Sequence, residues 1–359
     1  MKILRMITAV LKPYQPSFLI LFVTSKCNAR CSFCFYGDRV SGTKIKEQEL
    51  TSEEFKRISE RCGKIPYLLI SGGEPILRDD IVRIVGYFIE NAGVQYVTIP
   101  SNGLLPENTE RAFDFLTKTY PKVHFRAAFS VDFPDERHDE SRGISGCLEG
   151  VLEGAGRIRK LKKERVNLSL DIVTVFMHKN CDLHPILRDW VKEKINPDNH
   201  ELHLLRMEWP EPIPKNLDLE VFLSETTKYM ELGRKQETRS LSAFFRGLND
   251  VYIGALKHLV KGKRVSNCFA GRKITVIDET GNVKLCELRP EVLGNLRSEN
   301  YNLISILKKS RKLLREINRR KCSCTWECSV STNIVCTTKF YPRLLAATVR
   351  EYFKWRREK

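Results

Sequence analysis

The stretch Phe18-Leu19-Ile20-Leu21-Phe22-Val23, followed after three residues by Cys27-Asn28-Ala29-Arg30-Cys31-Ser32-Phe33-Cys34, decides how this 359-residue chain is read. The unbroken apolar run has the character of a strand buried on both faces, and the cysteines fall on the loop that leaves it. Three thiolates on one short loop can hold three corners of a cubic iron–sulfur cluster, leaving the fourth iron open for chemistry. Structural zinc usually takes four ligands, and no histidine stands nearby to complete the set. A disulfide framework belongs to small secreted domains, and three cysteines on one loop are an odd number. With 12 cysteines in the chain, an accidental spacing stays open until other motifs are read.

Ser71-Gly72-Gly73-Glu74-Pro75 follows the apolar run Tyr67-Leu68-Leu69-Ile70. Adjacent glycines at a strand end let the backbone approach a ligand closely, and Glu74 adds an acceptor suited to an ammonium group. Taken together, CxxxCxxC followed by Gly-Gly-Glu-Pro resembles the radical S-adenosylmethionine (SAM) superfamily, with Phe33 as the aromatic residue before the third cysteine. Ser101-Asn102-Gly103 is similar to the family's Thr-Asn-Gly, and Ser130-Val131-Asp132 to its Ser-Leu-Asp at the fourth strand. His138-Asp139-Glu140-Ser141-Arg142-Gly143 resembles a segment whose arginine reaches the SAM carboxylate, a role suited to a guanidinium fork. Read alone, Asn102-Gly103 is a common turn, Asp132 a helix cap and Arg142 a solvated charge. The resemblance implies a [4Fe–4S] cluster on Cys27, Cys31 and Cys34 with SAM on its open iron. It places Phe33, Gly72, Gly73, Glu74, Ser101, Asn102, Ser130, Asp132 and Arg142 around that cofactor. It further implies reductive cleavage of SAM to a 5′-deoxyadenosyl radical, which takes hydrogen from a substrate carbon.

Strand-like runs recur at 18–23, 67–71, 95–100, 125–131, 168–175 and 200–206, with helical patterns at 51–62 and 79–92 between them. Thr51 or Ser52 with Glu54 forms a capping box for the first of these helices. Strands alternating with helices give an α/β fold of right-handed parallel units. The family's partial (βα)6 barrel has the same strand count, and its sites gather at the C-terminal strand ends, where Arg206 also falls and Glu208 follows. Both are candidates for contact with a polar substrate.

The expected division is a lead-in basic helix at 1–16, the barrel at 17–206, a linker and helical bridge at 207–262, a cysteine-rich segment at 263–336 and a basic helix at 337–359. Pro210, Pro212 and Pro214 mark the exit from the barrel, and helices at 217–232 and 241–260 are expected to pack on it. Residues 274–288 read as a β-hairpin turning at Glu279-Thr280-Gly281-Asn282. Gly281 followed by Cys286 resembles the SPASM and twitch extensions, which carry auxiliary iron–sulfur clusters. This tail departs from the seven-cysteine SPASM pattern, holding six cysteines: Cys268, Cys286, Cys322, Cys324, Cys328 and Cys336. The resemblance therefore implies one auxiliary [4Fe–4S] cluster on Cys268, Cys286, Cys324 and Cys328, with Cys322 as rival, Cys336 undecided and zinc as the alternative metal. Cys62, Cys147 and Cys181 read as packing residues.

Free thiolates and clusters fit a reducing, cytoplasmic setting, and no run reaches the roughly 18 apolar residues of a membrane span. Lys12 and Pro13 break the apolar start of the chain, so it does not read as a signal peptide. Sixty-one basic against 44 acidic residues give a net charge of +17. Residues 340–359 interleave basic residues with Leu344, Leu345, Val349, Phe353 and Trp355, a pattern for a helix docked on the protein or resting on an anionic membrane. The leading functional expectation is oxidation or rearrangement of a polar small molecule, sugar or lipid-linked substrate, with a ferredoxin- or flavodoxin-type reductant. A peptide maturase is the alternative, although the 26 residues before Cys27 are too few for a leader-binding domain. A non-enzymatic RNA-binding metal module is a third, and no nucleic-acid motif supports it.

Overall fold

The computed structural model describes residues 12–41, 48–206, 215–232, 240–319 and 324–357. Expectations for residues 1–11, Glu208, Pro210, Pro212, Pro214, Cys322, Glu358 and Lys359 lie outside them.

Six parallel strands lie side by side in chain order: β1 (Phe18–Thr24), β2 (Tyr67–Gly72), β3 (Tyr96–Ser101), β4 (His124–Ser130), β5 (Leu168–Phe176) and β6 (Asn199–Leu204). They match the six runs anticipated, with ends displaced by a residue or two. Parallel strands need crossovers, and helices such as Ser52–Arg61, Pro106–Thr119 and Cys147–Lys162 supply them. The capping box forms at Thr51: its hydroxyl accepts from Glu54 N, and the Glu54 carboxylate accepts from Thr51 N. The helical pattern at 79–92 resolves into Ile81–Tyr87 and a π-turn at Phe88–Ala92.

Alternate strand residues separate two environments. Leu19, Leu21, Leu68, Ile70, Val97, Ile99, Phe125, Phe129, Leu170 and Ile172 join the helices in the main core. Their neighbours on the same strands, including Tyr67, Thr98, Arg126 and Asp171, meet one another on the inner side of the sheet.

A partial barrel leaves the edge of β1 unpaired, and such an edge requires a cover. Here β7 (Ile274–Ile277) supplies it, pairing parallel to β1 from Phe18↔Ile274 to Leu21↔Ile277. β8 (Asn282–Lys284) and β9 (Val292–Asn295) then add antiparallel, so one nine-stranded sheet runs β6-β5-β4-β3-β2-β1-β7-β8-β9 among the described residues. The expected hairpin is therefore present, and it continues the barrel sheet directly. Helices Leu219–Leu232, Ser240–Leu259, Glu327–Val335 and Tyr341–Arg357 build a second apolar core over β6 around Phe222, Tyr229, Leu256 and Ile334.

Candidate active site

The cysteine loop leaving β1 is held from two sides. Gly73 N donates to Thr24 O at 2.8 Å, and Glu74 N to Lys26 O at 2.9 Å. A Cβ on Gly73 would stand 2.1 Å from Lys26 O, so glycine is required by the approach of this loop. Sequence reasoning expected these glycines to approach a ligand; the structure adds a close approach to the backbone that carries the cysteines. On the opposite side Arg30 N donates to Arg142 O at 2.8 Å and Ser32 N to Ser141 O at 3.1 Å. Gly143, at φ 64, lets this second clamp close, because a Cβ there would lie 2.5 Å from Arg30 O.

Within the loop, Cys34 N donates to Cys31 O at 3.2 Å. Ala29 N donates to Cys27 Sγ at 3.4 Å, and Arg142 Nη1 to Cys31 Sγ at 3.8 Å. Burial raises the Cys27 and Cys34 thiols above the ordinary cysteine range, and the adjacent Cys31 adds to the rise in both. A bound cation reverses that trend by deprotonating the thiols it coordinates. Among the described residues no three His, Cys, Asp or Glu side chains already stand at metal-ligand spacing, so a cluster would draw these thiols together. Their chemistry fits a three-thiolate ligand set.

The other motif residues converge on this loop. Glu74 is buried and accepts from Asn102 N at 2.7 Å and Ile76 N at 3.2 Å, and burial pushes its carboxyl up to about 7. Asn102 Nδ2 donates to Asn28 Oδ1 at 2.7 Å and lies 4.0 Å from Cys27 Sγ. Ser101 Oγ accepts from Gly103 N at 3.1 Å, and half-buried Ser130 closes β4. Asp132 accepts from Val175 N at 2.9 Å and pairs with Arg142, whose guanidinium lies 5.2 Å over the Phe33 ring. One edge of Arg142 is thus committed to Asp132, while its buried Nε has no partner. A buried donor of this kind suits a carboxylate such as that of SAM.

Cys147, read from sequence as packing, joins two of these motifs. Its Sγ donates to Asn102 O at 3.1 Å and lies 3.6 Å from His138 Nε2. Burial lowers His138 to about 4, and its Nδ1 accepts from Asp132 N at 3.1 Å, as a neutral imidazole can.

Sequence reasoning also missed a charged array on the inner side of β4–β6. Arg126 Nε bonds Asp171 at 2.5 Å, its Nη2 bonds Glu201 at 2.5 Å and its Nη1 bonds the Tyr67 hydroxyl at 3.0 Å. His203 Nε2 lies 3.3 Å from Glu201; burial works to lower the imidazole, but Glu327 and Glu201 outweigh it and hold the pKa above the usual histidine value. Arg206, anticipated as a substrate contact, pairs with Glu287 at 2.5 Å and Glu327 at 3.6 Å. The available signal was a charge breaking an apolar strand, as in Phe125-Arg126-Ala127 and Leu170-Asp171-Ile172.

Cys268, Cys286, Cys324 and Cys328 pack into one cluster with Cys34, Ile20, Phe22, Tyr36 and Trp326. Trp326 Nε1 in this cluster has no hydrogen-bond partner, nor has the Tyr252 hydroxyl of the adjoining second core, which Cys328 and Cys324 influence electrostatically. Four thiols with adjacent unused donors fit a metal–sulfur group. Cys336, at the end of helix Glu327–Val335, is not a member of this cluster.

Residues 21–189 match the model of the radical SAM superfamily. An AdoMet-dependent heme synthase of Methanosarcina barkeri is 24% identical over 316 residues, covering 80% of this chain and 82% of that protein. A GTP 3′,8-cyclase of Haemophilus ducreyi is 25% identical over 182 residues, and the match spans about half of each, 50% and 51%. Among solved structures, native anSMEcpe with bound AdoMet superposes with a TM-score of 0.60 at 16% identity, covering 94% of this chain and 99% of that one, a likeness of fold. Together with the cysteine loop and the barrel, these findings define the class of the barrel: residues 21–189 form a radical SAM domain. Among the described residues no helix is long and apolar enough to cross a membrane.

Proposed function

We propose that this enzyme oxidises or rearranges a polar small molecule held against the charged array of Arg126, Asp171, Glu201, His203 and Arg206. When bound on Cys27, Cys31 and Cys34, a [4Fe–4S] cluster supplies the electron that cleaves SAM to methionine and the hydrogen-abstracting 5′-deoxyadenosyl radical. Arg142 and Asp132 orient the SAM carboxylate, Glu74 receives its ammonium group, and Ser101, Asn102 and Ser130 border the nucleoside. Phe33 stacks beneath Arg142 and holds its plane. Cys268, Cys286, Cys324 and Cys328 hold an auxiliary cluster, and a small electron-transfer protein supplies the reductant.

The observation that carries this reading is the array's position. Arg206 acts electrostatically on His203 of the array, pairs with Glu287 and Glu327 beside Cys286 and Cys328, and lies 5.0 Å over the ring of Phe35, the residue after Cys34, so a substrate held by it would border both cysteine groups. The heme-synthase name of a relative aligned over 80% of the chain favours a small molecule over a peptide. The test is to incubate reduced, reconstituted enzyme with fractions of a deuterium-labelled cell extract and follow deuterium into 5′-deoxyadenosine. Transfer from the polar small-molecule fraction is expected; transfer from peptides alone would overturn the substrate class.

A further inference from the structure

Large apolar side chains exposed elsewhere, such as Phe115, Val166 and Ile186, are isolated on separate elements. The helix Tyr341–Arg357 differs. Tyr341, Leu345, Val349 and Phe353 recur every fourth residue and are 43, 66, 44 and 55% exposed. In an α-helix that spacing makes one continuous stripe.

The stripe is not needed to seat the helix. Leu344, Ala347 and Glu351 face the other way and are buried, the first two in the apolar core with Leu248, Val251 and Tyr252. The helices meet closely there, since a Cβ on Gly247 would come within 2.7 Å of Thr348 N. The inner face is therefore satisfied, and the apolar outer face is left over.

Charge selects what that face meets. Arg343, Arg350 and Lys354 are exposed and share a line beside the stripe, with Lys339 exposed just before the helix. Arg350 also pairs with Asp250 across the flank. Glu351, the acidic residue among the described residues of this helix, is turned inward, 3.8 Å from Arg246. The outer face thus presents apolar and basic groups in a chain of net charge +17. Pairing with a second copy would bring the basic flanks together, whereas anionic phosphates attract them.

We propose that this helix docks in the surface plane of an anionic phospholipid bilayer, with Leu345, Val349 and Phe353 among the upper acyl chains and Arg343, Arg350 and Lys354 at the headgroup phosphates. Long basic side chains bridge those depths by burying their stems and leaving their charges in water. The site lies outside the SAM region, so it stands independently of the proposed reaction.

The full-length reconstituted protein is sedimented with vesicles of phosphatidylcholine alone and of phosphatidylcholine mixed with phosphatidylglycerol. Binding is expected to the mixed vesicles only and to weaken as salt rises. The double variant Leu345→Ser, Phe353→Ser should partition at least about tenfold less while keeping its thermal midpoint and SAM cleavage. Arg343→Gln with Lys354→Gln should lose the preference for anionic lipid. Three results would overturn the proposal: no vesicle binding, undiminished binding by the stripe variant, or a solution dimer that the stripe variant dissociates.

Discussion

Arg206 Nη1 lies 2.5 Å from Glu287 Oε2, joining the end of β6 to the residue that follows Cys286. The same guanidinium is 3.6 Å from Glu327, the residue before Cys328, and 5.0 Å over the ring of Phe35, the residue after Cys34. One side chain therefore touches a neighbour of a cysteine in three segments distant in sequence. A rigid fork with several donors can make such a junction, whereas an ammonium group acts as a single point charge.

Replacing Arg206 with methionine should separate SAM cleavage from turnover. Glu287 is buried, and losing its partner leaves an uncompensated charge at a cost of about 3 kcal/mol, the low end for buried pairs because Arg206 is itself partly exposed. The thermal midpoint should fall and substrate-dependent product should vanish, while 5′-deoxyadenosine still forms without substrate. Arg206→Lys should recover stability more than coupling. Calorimetry and product analysis on one preparation check both parts.

Glu54 provides a pH-dependent link between the barrel and its extension. It caps its own helix and accepts from Arg297 Nε at 2.6 Å, Arg297 Nη2 at 3.1 Å and the Tyr301 hydroxyl at 3.1 Å. The Arg297 bonds hold its carboxyl at about 2, against an ordinary 4.5, with Thr51 and Tyr301 contributing. A folded-state pKa below the unfolded one stabilises above pH 4.5, and that stabilisation is lost as pH falls toward 2. At about 1.4 kcal/mol per pH unit the ceiling is about 3 kcal/mol, and solvent screening reduces it to about 1–2. Glu54→Gln should lower the urea midpoint near neutrality and converge on the parent toward about pH 2.

Much of the barrel was legible because buried parallel strands are written as apolar runs, as in β1, and because Thr51 and Glu54 spell a helix start locally. The cysteine loop and Gly-Gly-Glu-Pro were legible for the same reason: their chemistry is concentrated in short stretches. Pairing of β7 with β1 was hidden, since partners 256 residues apart, Phe18 and Ile274, leave no local mark. The array of Arg126, Asp171 and Glu201 was also hidden, because an isolated charge in a strand shows its partner only once strands from different parts of the chain lie together. Cys147 packs as read, 1% exposed, but its contacts with Asn102 and His138, which link two motif loops, have no signature in a lone helical cysteine.

Gly73→Ala tests the clamp on the cysteine loop. The added methyl would meet Lys26 O at 2.1 Å, a contact with backbone that only movement of the loop can relieve. Overpacking of this kind costs about 1–3 kcal/mol. The variant should show a lower thermal midpoint, reduced iron retention and weaker SAM binding by calorimetry, although no cofactor-contacting side chain has changed.

Substituting Cys27, Cys31 and Cys34 together with alanine should abolish reductive formation of 5′-deoxyadenosine after anaerobic reconstitution. The loop keeps its backbone clamps to Thr24, Lys26, Ser141 and Arg142, so the far-ultraviolet circular dichroism should be unchanged. Persistent SAM cleavage by this folded variant would remove the triad from its assigned role.

The second cysteine group calls for the opposite result. Replacing Cys268, Cys286, Cys324 and Cys328 with alanine removes thiols that pack around Trp326, beside Cys34, and leaves the Asp132–Arg142 pair and Glu74 unchanged. Iron content and the cluster absorbance should fall, substrate oxidation should stop, and SAM cleavage should continue uncoupled. Cys336→Ala should leave iron content unchanged, because that residue stands outside the packed group and near Lys273 and Arg272, while burial raises its thiol to about 11. Loss of iron in Cys336→Ala equal to that in the four-cysteine variant would move the ligand set toward the end of helix Glu327–Val335. Retention of all iron by the four-cysteine variant would leave Trp326 Nε1 and the Tyr252 hydroxyl as buried donors without a metal–sulfur group to account for them.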